Sequence, residues 1–235
     1  MKTSIGKNTV TIKNTIARTA QNLGLAEKRI ITLGMSKIDT RQSKTIYKNE
    51  ENRTITITAS EYQTIANLER KLDAYRELQN GTEKIGKKQL VIKRETMRGK
   101  KITRINWLEK ATYEQGKGTV KICFTGSIMP YLCAIENRFT TYKIQEATGI
   151  KSVYTWRLME FFISWSKEKK GQRKISIKEI KEMLEIPNSY ETGGTIARII
   201  KPAIKELEKR NWKIKFETEK TSRKISHITF SWRKP

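Results

Sequence analysis

The chain has 235 residues, with 49 Lys and Arg against 24 Asp and Glu, a formal net charge of +25, and 5 Trp, 8 Tyr and 6 Phe. Two cysteines and one histidine cannot build a disulfide framework, a four-thiolate site, a multi-histidine metal centre or the paired histidines of a rolling-circle nickase. No apolar run is long enough to cross a membrane, and residues 1–8 hold no apolar core of a signal peptide. These counts predict a folded, cytoplasmic protein of one or two domains, with no metal, no cofactor and no membrane partner. A polyanion is the expected partner, and nucleic acid fits a strongly basic chain of this size.

The charge is not a tail. Residues 1–136 carry 26 basic and 13 acidic side chains, and residues 137–235 carry 23 and 11. Each half is therefore expected to meet the polyanion. In chain order, residues 14–23 and 25–35 read as two short helices separated by Gly24, with Ile16, Ala20, Leu23, Ile30, Leu33 and Gly34 inward. A polar stretch to Asn52 is expected to hold a hairpin. Thr54 to Thr58 alternates with period two, as a half-buried strand does. Ser60-Glu61-Tyr62-Gln63 fits a capping box. The helix it opens runs to about Gln79 and ends at Asn80-Gly81, with Asn67, Arg70 and Lys71 on its outer face. Strands at 89–94, 101–108 and 119–124 follow, and a short helix is expected at 127–135. The turn Met97 to Lys101 lies in the densest basic cluster of the chain: Lys93, Arg94, Arg98, Lys100, Lys101 and Arg104. Helices followed by a basic hairpin make a winged-helix pattern, with the hairpin as the wing.

Glu136-Asn137-Arg138 is polar and marks the expected boundary between a domain at 1–136 and one at 137–235. The second half repeats the logic. A short helix at 142–148 stops at Gly149. Ser152 caps a helix to about Glu168 that is apolar nearly all round and includes Trp156, Phe161, Phe162 and Trp165. Lys174-Ile175 is a brief strand, and Ser176 to Glu179 is a second capping box. The helix after it ends at Pro187. Another helix spans about 195–211, and two strands, 212–216 and 228–232, close the chain around the turn 219–224.

Residues 195–210 separate into two faces. Ile196, Ile200, Ala203, Ile204 and Leu207 fall on one side, and Arg198, Lys201, Lys205 and Lys209 on the other. A helix in a major groove reads bases with its N-terminal turns. Thr195 and Arg198 are then candidates for base edges, with Arg suited to guanine, and Lys201 and Lys205 for phosphates. Gly193 and Gly194 allow a close backbone approach. Pro202 lies inside the helix and predicts a kink or a tightened turn. Lys220, Arg223 and Lys224 of the following turn would track the adjacent backbone, and Arg94, Arg98, Lys100 and Lys101 of the first-half hairpin are candidates for DNA contact, a wing reaching along the backbone or into the minor groove. Asn67 and Lys71 are weaker candidates on the first-half helix.

Phe124 to Leu132, Phe139 to Tyr142, Lys151 to Glu160, Ile200 to Leu207 and Lys224 to Phe230, in that order, resemble the iteron-binding plasmid replication initiators. The likeness is closest from about 120 to 230, and the opening at 14–38 fits the start of the same family. It implies an α+β chain of two tandem winged-helix domains with β-hairpin wings. It implies binding to double-stranded direct repeats at a plasmid origin, a homodimer that represses its own gene, and a host helicase or helicase loader as partner. It places the main base contacts on residues 195–205, and gives the first domain an adjacent DNA contact and dimerisation.

An enzyme reading lacks a site. Gly116-Lys117-Gly118 is too short for a nucleotide-phosphate loop. His227 has alternating strand neighbours, and Cys123 and Cys133 lie in apolar surroundings, so a rim histidine and buried thiols are expected. The aromatics of the 152–168 helix fit core packing better than base stacking. A winged-helix repressor without a replication role and a DNA-cleaving enzyme are the competing readings.

Overall fold

The computed structural model describes residues 9–40, 45–114, 116–133, 138–222 and 224–235. The chain divides into two compact units. Unit 1 comprises residues 1–16 and 21–151, and unit 2 comprises residues 17–20 and 152–235. The division expected at 136/137 therefore falls at 151/152. The reason is a strand pair: β1 (Thr9–Lys13) runs antiparallel to β7 (Phe139–Lys143). Val10, Ile12, Thr140 and Tyr142 of the pair are buried, which fixes residues 138–151 in unit 1. Ala134 to Asn137 lie outside the described residues.

A single turn follows, α1 (Asn14–Ala17), whose last residue falls in unit 2, and then the core helix of unit 1, α2 (Leu25–Ser36). Only 3₁₀ turns, Ile46–Lys48 and Glu51–Arg53, are found among the described residues before β2 (Thr54–Thr58), where a hairpin was expected. The next helix starts two residues earlier than the sequence suggests. Thr58, not Ser60, is the cap of α3 (Ala59–Ala66): its hydroxyl accepts the Glu61 N–H at 3.2 Å and its N–H donates to Glu61 Oε2 at 2.8 Å. The helix does not run on to Gln79. Asn67 turns left-handed (φ 52°) and stops it, and α4 (Lys71–Ile85) begins after a short turn. Asn80-Gly81 lies inside α4 rather than ending it. At Gly81 a Cβ would stand 2.6 Å from Ile30 Cδ1 of α2, so the two helices approach closely there.

Four strands follow instead of three: β3 (Gln89–Thr96), β4 (Gly99–Asn106), β5 (Leu108–Glu114) and β6 (Thr119–Phe124). The three-stranded sheet is ordered β2-β6-β5, whereas β3 and β4 pair only with each other. The wing of unit 1 is thus the β5–β6 hairpin, and the basic β3–β4 hairpin taken for it is an additional arm. The segment expected to be a helix at 127–135 holds a 3₁₀ turn at Met129–Tyr131. A one-turn helix, α5 (Ile144–Ala147), ends the unit.

Unit 2 is built on α6 (Val153–Trp165), capped by Ser152, whose hydroxyl accepts the Tyr154 N–H at 3.2 Å. Its apolar girth is buried against the sheet β8-β10-β9, formed by β8 (Lys170–Ser176), β9 (Lys213–Thr221) and β10 (Lys224–Arg233). Phe162 meets Trp232 at 4.8 Å between ring centroids and Phe230 at 5.4 Å, so these aromatics are core. Trp165 is held between the guanidinium groups of Arg18 and Arg173, at 3.4 and 3.8 Å. Between β8 and β9 lie α7 (Ile177–Leu184), α8 (Thr192–Thr195), a π-helical turn at Ile196–Ile200, and α9 (Lys201–Glu208). Each unit thus has helices followed by a hairpin on a three-stranded antiparallel sheet, the tandem winged-helix arrangement.

Candidate nucleic-acid interface

In unit 2 the site is set by how α7 starts and stops. Ser176 accepts the Glu179 N–H at 3.1 Å and donates its own N–H to Glu179 Oε2 at 3.0 Å, an anchored helix start. The Ser176 bonds hold the Glu179 carboxyl below the usual carboxylate range. Glu185 turns left-handed (φ 58°) and ends α7. The chain then reverses into the continuous helix 192–208.

That helix presents one buried and one open side. Ile196, Ile199, Ile200, Ala203, Ile204 and Leu207 are buried. Gly193, Ala197, Arg198, Lys201, Pro202 and Lys205 are exposed, and Gly194 is half-buried. Thr195 is a correction. Its side chain is 0% exposed and its hydroxyl has no hydrogen-bond partner, so it faces the core and cannot reach a base edge. A residue three positions before Arg198 would share its face in a regular α-helix, but here the helix widens. Lys201 N–H bonds to Ile196 O, five residues back, and Pro202 follows as one of the first residues of α9. Proline has no N–H and its ring crowds the carbonyl four residues earlier, so the chain takes in a π turn ahead of it. The irregularity expected at Pro202 is therefore a widened turn rather than a tightened one.

Beside this helix stands the hairpin β9–β10, which pairs along its length with a bulge between Ile225 and His227. Lys220 and Lys224 are exposed near its turn. Arg223 lies outside the described residues. The strand carries acid as well: exposed Glu219 meets Lys174 Nζ at 2.5 Å, and that contact keeps its carboxyl low. His227 is half-buried, its Nδ1 3.1 Å from Ser226 Oγ.

In unit 1, α3, the turn at Asn67 and α4 make the helix-turn-helix. Asn67 is exposed but serves as the stop of α3. Lys71 is exposed as the first residue of α4, and Arg70 before it is paired with Asp73 at 2.8 Å. Lys71, Leu72, Arg76, Asn80 and Lys84 lie on the open side of α4. Tyr75 ties this helix to the wing: its ring packs edge-on against Tyr113 at 5.5 Å and its hydroxyl accepts the Gly116 N–H at 3.0 Å. On the wing, Glu114 pairs with Lys117 at 2.6 Å and Lys121 at 3.4 Å, so much of its charge is compensated. Lys93, Arg94, Arg98, Lys100, Lys101 and Arg104 are all exposed on the separate β3–β4 arm. The open face of α4 at Arg76 and Lys84 does not emerge from a single helix ending at Gln79, which leaves Arg76 in its last turn and Lys84 beyond its end.

Among the described residues, no group of three or more His, Cys, Asp or Glu could hold a metal ion, and no helix is long and apolar enough to cross a membrane. Cys123 and Cys133 are buried. What the surface offers is exposed cations on helices and hairpins over well-packed apolar faces, chemistry suited to phosphates and groove edges.

Comparison with known proteins agrees with this geometry. Residues 9–163 match the family model described as initiator replication protein, WH1, and residues 176–232 the one described as initiator Rep protein, WH2. The PI protein of Escherichia coli is 24% identical over 265 aligned positions, covering 96% of this chain and 83% of that protein. A crystal structure of Pi initiator protein in complex with iteron DNA superposes with a TM-score of 0.80 at 22% identity, over 98% of each chain. Domains 2 and 3 of RctB share the fold more distantly, with a TM-score of 0.51 at 8% identity over 88% of this chain and 81% of that one.

Proposed function

The chain belongs to the initiator replication protein family, and from that membership we propose that it starts plasmid replication by binding direct repeats in duplex DNA at the origin. One observation carries the reading: the helix 192–208 buries its apolar side and leaves Arg198, Lys201 and Lys205 in an open row. A helix with that division, preceded by a turn and followed by a hairpin, fits a major groove. Arg198 reads a base edge, with Gly194 allowing the backbone close, and Lys201 and Lys205 hold phosphates. Lys220, Lys224 and Arg223 track the neighbouring backbone. Unit 1 adds Lys71 and the cations Arg94, Arg98, Lys100 and Lys101, while Asn67 shapes the turn between its helices. A solved relative that carries iteron DNA in its complex supports the choice of ligand.

In this role the protein makes and breaks no bonds; it marks a place and assembles on it. Repression of its own gene, a homodimer formed through unit 1, recruitment of a host helicase or its loader, and a cytoplasmic setting complete the proposal. Gel retardation with duplexes tiled across the DNA beside the coding region tests it. Stepwise bands on direct repeats spaced by whole helical turns are expected. A single palindrome bound in one step by a dimer would establish a repressor instead. A Mg²⁺-dependent nick in supercoiled DNA, lost on changing a carboxylate or tyrosine, would restore the enzyme reading.

A further inference from the structure

The β3–β4 arm lies outside the three-stranded winged-helix sheet of unit 1. The arm is rooted by buried Leu90, Ile92 and Ile105. From Lys93 to Ile102 every residue is exposed, a projection of roughly 14 Å at about 3.4 Å per residue. The strands are in plain register, Lys93 with Ile102, Arg94 with Lys101, Glu95 with Lys100 and Thr96 with Gly99. This leaves Met97 and Arg98 as the crown. Gly99 adopts φ +112°, which closes so tight a turn and which few side chains tolerate. Met97 is 106% exposed and Ile102 is 53% exposed. Six cations, Lys93, Arg94, Arg98, Lys100, Lys101 and Arg104, surround them, and the single acid of the arm, Glu95, stands 3.7 Å from Lys100.

A scattered apolar side chain on a surface is ordinary. This one stands at the outermost point of a cationic two-stranded arm, next to an arginine. A polyanion is the partner such charge selects. The full ribbon is too broad for the minor groove, which is about 6 Å wide, but a two-residue crown is not. Minor-groove binders press apolar side chains between base steps and place Arg in the groove.

We propose that the crown of the β3–β4 arm enters the minor groove, where Met97 wedges against a pyrimidine–purine step and Arg98 lies along the groove floor. Arg94, Lys100 and Lys101 then meet the phosphates on either side. The step is partly unstacked and the duplex bends away from the arm. This deepens the DNA-binding reading above and rests on it.

The test uses the full-length chain and the flanking duplex that it retards, prepared as a series with 2-aminopurine beside each pyrimidine–purine step. Binding raises the emission at one step, and Met97→Ala reduces that rise by about threefold or more while the duplex is still retarded. Met97→Leu, which keeps an apolar wedge, restores it. Netropsin bound beforehand in the minor groove suppresses the rise. A retarded duplex with no rise at any step, or a rise that Met97→Ala leaves intact, overturns the wedge alone. Failure to retard any flanking duplex overturns the DNA-binding reading and the wedge together.

Discussion

Replacing Lys201 and Lys205 together by alanine isolates the phosphate part of the proposed interface. Both side chains are exposed, and the opposite side of their helix (Ala203, Ile204, Leu207) is buried, so the change leaves the packing alone. Each phosphate neutralised contributes about −0.9 to the slope of log K against log salt. Losing two contacts flattens the slope by about 1.8. Between 50 and 200 mM salt, a fourfold span, the ratio of parent to variant affinity should therefore shrink by about 12-fold. The variant is most impaired in dilute salt and nearly catches up in concentrated salt. Fluorescence anisotropy with a repeat-bearing duplex and a scrambled one measures both slopes. Both duplexes should lose affinity alike, since phosphates carry no sequence. Parallel salt plots for parent and variant would show that these lysines touch no phosphate. A loss confined to the repeat duplex would show that they read bases.

Arg198→Ala should cost about 1–3 kcal/mol on the repeat and relax preference at one base pair, measured by competition with single-substituted duplexes. Unchanged preference would displace the reading residue from Arg198. Thr195→Val removes a buried hydroxyl without a partner and should stabilise unit 2 by about 1 kcal/mol in urea denaturation, with specificity untouched. Altered base preference would put Thr195 back at the groove. The Glu179 carboxyl has its pKa lowered in the folded chain by the bonds to Ser176, so the cap stabilises above the unfolded value of about 4.5 and fades as pH falls through the lower folded value. Glu179→Gln should accordingly lose about 0.5–1 kcal/mol at neutral pH and converge on the parent in acid; a deficit independent of pH would mean that the charge plays no part.

Periodicity exposed the long helices and the apolar side of 192–208, because those signals are local. Ile196, Ile200, Ala203, Ile204 and Leu207 were legible as core from spacing alone. What escaped depends on distant partners. The pairing of Thr9–Lys13 with Phe139–Lys143 joins segments some 130 residues apart, so neither strand announces itself and the domain boundary was misplaced. The capping motif at Thr58 was hidden by a second hydroxyl two residues on. Asn80-Gly81 looks like a helix end, yet close packing against Ile30 explains that glycine. β5 gives no strand signal because Glu109, Lys110 and Thr112 make its outer edge polar. Burial of Thr195 follows from the π turn, an irregularity that a fixed helical period cannot carry. The exposed cations were readable as a set, but which hairpin forms the wing was a question of sheet order.

The short stretch 17–20 packs with unit 2 although the segments before and after it belong to unit 1. Arg18 lies over Trp165 and donates to Ser164, and the carbonyl of Thr19 accepts from Arg157, whose guanidinium is buried beside Glu160 and also serves Met183 O. Severing the polypeptide at 151/152 consequently does not yield two self-sufficient halves. A fragment starting at Ser152 loses a cation over one face of its indole and leaves an enclosed guanidinium short of an acceptor, an omission that adding a peptide spanning Ala17 to Ala20 in trans should partly repair.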